Sequence, residues 1–98
     1  ASGGKVKSVI RYLRSAREND MIKSGEILLV GSTTPDFMPA VNKAAAIVTN
    51  EGGLTCHAAI VSRELRIPCV VGTKIATQIF RTGDKVEVDA DEGIIKKL

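Results

Sequence analysis

Aromatic residues are nearly missing from this 98-residue chain, which has only Tyr12, Phe37 and Phe80. Single-stranded nucleic acid is gripped by stacking rings interleaved with basic side chains, and so sparse a set argues against that partner. The net charge of +3 does not reverse this. Residues 1–24 carry six Lys/Arg against two acids and residues 25–98 carry eight against nine, so one end is mildly basic and reads as a solvated face. No apolar run approaches the eighteen or so residues of a membrane span, and the first residues lack the charged-then-apolar pattern of a signal peptide. A cytoplasmic protein with neither a membrane nor a nucleic-acid partner is expected. Histidine and cysteine are equally scarce: His57 stands alone, and Cys56 and Cys69 form no Cys-x-x-Cys pair, so no zinc set can be assembled. Without a secretory signal both thiols are expected to stay reduced. No glycine-rich loop carries a P-loop lysine and no carboxylate cluster suits Mg²⁺, so no cofactor or metal is expected on this chain itself.

What is present is the balance of a globular domain, 44% apolar and 26% charged, long enough for one modest core. Ala1–Gly4 reads as a linker or remnant, and residues 5–98 as one domain. Lys5–Ile10 alternates as a half-buried strand that can run on to Leu13, and a short helical turn follows before Gly25. Glu26–Val30 and Ala46–Thr49 are short apolar runs, hence buried strands. Between them Asp36–Ala45 reads as a helix, with Pro35 and Pro39 near its start and Thr34 or Asp36 as cap. A helix from about Thr55 to Leu65 places Ala58, Val61 and Leu65 on an inner stripe beside Ile60, with Ser62, Arg63, Glu64 and Arg66 outward. Pro68 stops it. Cys69–Gly72 is a further strand, Ile75–Phe80 a short helix, and Lys85–Leu98 a β-hairpin turning at 89–93. Short strands mixed with two or three helices predict a layered α/β fold.

The chemistry gathers at Gly52–His57, reading Gly-Gly-Leu-Thr-Cys-His. Two glycines let the backbone bring N–H groups close to a ligand, and the helix that follows adds unpaired amides and the positive end of its dipole. An anion such as phosphate suits that place. A neutral imidazole is a good nucleophile toward phosphorus, and phosphoryl transfer asks mainly for positioning and donors, which Gly52, Gly53, Thr55 and Cys56 can supply. Two other readings stand beside it. His57 can be a plain structural histidine at a helix start, or the base of a thiol enzyme with Cys56 or Cys69 as nucleophile. Cys56 and His57 point about 100° apart on a helix, and Cys69 falls in a buried run, which weakens the thiol reading.

The stretch Thr49–Gly72, with Gly52-Gly53-Leu54-Thr55-Cys56-His57-Ala58-Ala59 and Ile67-Pro68-Cys69-Val70-Val71-Gly72, resembles the mobile phosphohistidine (swivelling) domain of phosphoenolpyruvate-utilising enzymes. The likeness extends upstream through Gly25–Val30, Thr34-Pro35-Asp36 and Ala45–Thr49, and downstream through Gly83–Asp89 to Gly93. Its Thr-Cys-His form is most similar to phosphoenolpyruvate synthase, whereas pyruvate phosphate dikinase and enzyme I of the sugar phosphotransferase system usually show Thr-Ser-His. The resemblance implies a β/β/α layered fold and a histidine, His57, that is phosphorylated as a tele-phosphohistidine intermediate. It implies that the group is charged from ATP, with Mg²⁺, in a nucleotide-binding domain and passed to pyruvate in a barrel domain, in the same or another chain. It also implies regulatory phosphorylation at Thr55. The alternatives it leaves are a dikinase or enzyme I type carrier and a non-catalytic interaction module of the same fold. Two departures, Ser62 for the usual Ala and Arg66 for a frequent Gly, are expected at the surface.

Overall fold

In β2 (Ile27–Val30) and β3 (Ala46–Thr49) every residue is buried, because both faces of these strands are covered. Leu28, Val30 and Ile47 point into one apolar cluster, and Ile27, Leu29, Ala46 and Val48 into another on the opposite face. That is why these segments read as continuous apolar runs rather than alternating ones. The computed structural model describes residues 4–52, 56–74 and 76–98. The remaining strands are β1 (Lys5–Tyr12), β4 (Cys69–Val70), β5 (Lys85–Asp89) and β6 (Ile94–Lys97). Together they form one mixed sheet in the order β4-β3-β2-β1-β5-β6.

The first four strands are parallel and the hairpin β5–β6 joins them antiparallel. β1 serves both halves: Lys5–Val9 pair with Lys85–Asp89, and Ile10–Tyr12 with Ile27–Leu29. Parallel neighbours need crossovers, supplied by α1 (Met38–Val41) between β2 and β3 and by α2 (His57–Leu65) between β3 and β4. The cluster formed by Leu13, Ile22, Leu28, Phe37, Val41, Ile47, Ala58 and Val61 lies between these helices and the sheet. On the other face, Val86 and Val88 from β5 join Ile10, Ile27 and Val48, with Phe80 and Ala76 of α3 (Ala76–Ile79) closing the group. The sheet curls over this second core, giving the expected layered β/β/α architecture.

Several boundaries differ from the sequence reading for identifiable reasons. The helix expected over 36–45 is a 3-10 turn at Pro35–Phe37 followed by α1, which stops at Val41. Beyond it the Lys43 carbonyl accepts from the Gly25 N–H and the Ala45 N–H donates to the Glu26 carbonyl, so the chain is drawn toward β2 instead of winding on. Thr34 adopts a cap conformation, but neither it nor Asp36 makes a side-chain cap. The turn before Gly25 is a 3-10 helix at Ala16–Met21. β4 ends at Val70, and α3 begins at Ala76, with Ile75 outside the described residues, as are Ala1–Gly3 of the expected linker.

In α2 the buried arc is Ala58, Ala59, Val61 and Ser62, while Ile60 and Leu65 are exposed. Ser62, expected outward, is fully buried and donates to the Ala59 carbonyl at 3.0 Å. Burial along α2 runs through Ser62 and stops before Leu65, so apolar character at 65 does not mean burial. Arg66 ends α2 in the left-handed region, at φ 58 and ψ 40.

Candidate functional site

Parallel strands open their loops on one side of the sheet, at the carboxyl ends, and that is where a ligand finds room. Here the loops after β2, β3 and β4 converge with the N-terminus of α2. Asn50 and Glu51 donate their N–H groups to the Val30 and Gly31 carbonyls at 3.3 and 3.0 Å, tying the second loop to the first. Thr73 and Lys74 donate to the Thr49 and Asn50 carbonyls at 3.1 and 2.8 Å, tying the third to the second. Between the first two loops and the start of α2 lies a pocket of about 220 Å³, lined by Ser32, Thr33, Glu51, Gly52, Cys56, His57 and Ala58.

His57 is the first residue of α2 and half-buried. Its ring is held by Thr33, which belongs to none of the elements or motifs named above: Thr33 Oγ1 lies 2.9 Å from Nδ1. Thr33 is itself buried, so the bond forms against a fixed wall. In the tautomer that places the ring proton on Nδ1, that proton is donated to Thr33 Oγ1 and Nε2 keeps its lone pair. The signal available in sequence was indirect: a Gly-Ser-Thr-Thr run directly after a buried strand, which a parallel neighbour places beside the next strand's loop.

Of the expected supporting residues, Gly52 and Cys56 are in the pocket, whereas Gly53 and Thr55 lie outside the described residues. Cys56 occupies the cap position of α2, and its side chain makes no capping bond. Its sulfur instead packs on Gly52, where a Cβ would come within 2.7 Å of it. Gly52 has φ 121 and Gly72 φ 70, and a Cβ on Gly72 would lie 2.9 Å from the Gly52 carbonyl oxygen. Both positions therefore need glycine for room as well as for conformation.

The thiol alternative fares poorly. Cys69 faces the core, its sulfur 3.9 Å from the Ala58 carbonyl, and burial pushes its thiol up against the weaker opposing effect of a Ser62 hydrogen bond. A thiol so placed holds its proton at neutral pH and makes a poor nucleophile. Both cysteines are free. Among the described residues no three His, Cys, Asp or Glu side chains gather to hold a metal ion, and no helix is long and apolar enough to cross a membrane.

Comparison with known proteins identifies a family. The family model for the mobile domain of PEP-utilising enzymes matches residues 22–93. Phosphoenolpyruvate synthase of Pyrococcus furiosus is 58% identical over 82 residues, covering 84% of this chain and 10% of its own length. A probable phosphoenolpyruvate synthase of Archaeoglobus fulgidus is 50% identical over 95 residues, covering 97% of this chain and 13% of its own length. The solution structure of an enzyme I protein superposes with a TM-score of 0.69 at 31% identity, over 81% of this chain and 33% of that one. The chain thus spans about an eighth or less of the length of these two synthases.

Proposed function

Because the chain belongs to the family of mobile domains of PEP-utilising enzymes, we propose that it carries a phosphoryl group on Nε2 of His57 within a phosphoenolpyruvate synthase-type enzyme. The observation that carries this reading is the 2.9 Å contact between Thr33 Oγ1 and His57 Nδ1. It orients the ring through Nδ1 and, in the Nδ1–H tautomer, leaves Nε2 as the nucleophile. The identities of 50% and 58% to synthases, against 31% to an enzyme I, favour the synthase setting over the sugar phosphotransferase one.

In the charging step the Nε2 lone pair attacks phosphorus, the P–Nε2 bond forms and the donor's P–O bond breaks. The Nδ1–H stays on Thr33 throughout, so the ring carries the positive charge that offsets the phosphoryl oxygens. The unpaired amides at the start of α2 would stabilise the charge that develops on those oxygens. In the second step the enolate oxygen of pyruvate attacks phosphorus, the P–Nε2 bond breaks and neutral imidazole is restored. ATP and Mg²⁺ would be held by a separate nucleotide-binding domain, and pyruvate by a barrel domain, in the same or another chain. A cytoplasmic setting goes with these substrates. The expected regulation at Thr55 belongs to the same reading: a phosphate two residues before His57 would put about −1.5 to −2 charges in the path of an anionic donor.

The test supplies the chain with ³²P-labelled phosphoenolpyruvate and the phosphoenolpyruvate-binding domain of a synthase. Acid-labile, alkali-stable label on the wild type and none on His57→Asn is the expected result. Label retained by folded His57→Asn would overturn the assignment, and an unlabelled wild type would leave an interaction module of this fold.

A further inference from the structure

Asn50 leaves β3 between the loop that holds Thr33 and the loop that holds Gly72, and its polar groups bind both sides. Its backbone N–H donates to the Val30 carbonyl, and its own carbonyl accepts from the Lys74 N–H at 2.8 Å. Its side chain reaches further, to α3: Oδ1 accepts from the Thr77 N–H at 2.9 Å, and Nδ2 donates to Thr77 Oγ1. The adjoining bonds follow the same plan, with Thr73 Oγ1 donating to the Thr49 carbonyl at 3.0 Å and accepting from the Ala76 N–H at 3.2 Å. Asn50 is only half-buried. Its contribution is therefore directional bonding rather than filled volume, and that is the property expected of a group that fixes position.

We infer that Asn50, with Thr77 as its partner, is a positioning residue for His57, an inference that rests on the carrier reading above. Two short routes connect them. Through the first loop, Asn50 and Glu51 hold Val30 and Gly31, from which the chain runs directly to Thr33 and its bond to Nδ1. Through the second, Asn50 is two residues from Gly52, which is pressed between Cys56, the residue before His57, and Gly72. Releasing the Asn50 side chain loosens α3 from both loops. Thr33 and the start of α2 then lose their fixed separation, the Nδ1 bond lengthens, and the ring no longer presents Nε2 alone. Displacements of about 1 Å remote from the chemistry can cost roughly a hundredfold in rate.

Phosphoramidate, which needs no partner domain, reads this directly. Its P–N bond breaks, ammonia leaves and a phosphorus–imidazole bond forms at whichever ring nitrogen holds a lone pair. The wild type should give the Nε2 product alone by ³¹P NMR. Asn50→Ala and Thr77→Val should react about tenfold or more slowly and give a mixture of Nε2 and Nδ1 products. Thr77→Ser, which keeps the hydroxyl, should restore the wild-type pattern. A two-bond ¹H–¹⁵N spectrum of the His57 ring in the unphosphorylated proteins should show a single tautomer in wild type and Thr77→Ser, and averaging in the other two. Wild-type rate, product and tautomer in folded Asn50→Ala or Thr77→Val would overturn the inference, whatever their melting temperatures. A wild type that takes no phosphoryl group would defeat the carrier reading instead, and the ring spectra would still decide whether Asn50 positions His57.

Discussion

Replacing Arg66 by glycine should stabilise the domain. Arg66 closes α2 with φ 58 and ψ 40, a conformation in which an L-residue brings its Cβ against the following carbonyl. That conformation costs about 1–2 kcal/mol for any residue with a Cβ. Glycine removes the clash but adds freedom to the unfolded chain, which returns about 0.5–1 kcal/mol of the gain. The Arg66 side chain is exposed and the backbone bond from residue 66 to the Ser62 carbonyl needs no side chain, so little else is lost. The net expectation for Arg66→Gly is about 1 kcal/mol of added stability, which corresponds to a rise of about 4–8 °C in Tm for a domain of this size. Thermal unfolding followed by circular dichroism measures it. Arg66→Ala is the control, because alanine removes the guanidinium but keeps the Cβ and should not raise Tm. Equal gains in both variants would refute the strain argument and assign the effect to charge, and a lower Tm in Arg66→Gly would refute it outright.

Gly72→Ala should destabilise by about 1–3 kcal/mol, since it combines φ 70 with a Cβ 2.9 Å from the Gly52 carbonyl oxygen; an unchanged urea midpoint would show that the loop yields. Glu26 makes paired hydrogen bonds to Arg11, both at 3.0 Å, and these hold its carboxyl below the ordinary 4.5, outweighing desolvation. A depressed folded pKa means that its stabilisation is complete above the unfolded value and is lost as pH falls through the folded one. Glu26→Gln should therefore be less stable at pH 7 and show a shallower loss of stability below about pH 4.5; stability curves that run parallel to the wild type would contradict this. Iodoacetamide at pH 7 should modify Cys56 alone in the native protein and both thiols after unfolding, because Cys69 is buried and burial raises its thiol. Equal native rates at the two sulfurs would refute that placement.

The sheet strands were legible where burial leaves a local mark. Ala46–Thr49 and Ile27–Val30 are short, apolar and covered on both faces, so composition alone outlines them. The hairpin at the end alternates, with Val86 and Val88 inward, and shows its period. His57 at the start of α2 was legible because glycines and a helix-forming run adjoin it in sequence. What was not legible depends on partners distant along the chain. Thr33 meets His57 across 24 residues only because β2 and β3 lie side by side. Ser62 is inside and Leu65 outside because tertiary cover on α2 runs through Ala58, Ala59, Val61 and Ser62 and stops there, which the helical period alone does not reveal. The truncation of α1 comes from Gly25 and Glu26 claiming backbone groups at 43 and 45, a competition invisible within residues 36–45.

One feature of the sheet bears on how the domain comes into being. β1, near the start of the chain, lies inside the sheet and is paired along its first half only with β5, so that Lys5 meets Asp89 and Val9 meets Lys85. Loop closure across some eighty residues must precede those bonds, and its entropy is not repaid until the hairpin docks. Until residue 89 has been made, the emerging chain holds β1 with one flank open and the apolar row of Ile10, Ile27 and Leu29 without its Val86 and Val88 cover. Completion of the second core is thus expected late in folding. Refolding should accordingly be slow for a chain of this length, with the rate governed by capture of β5 by β1.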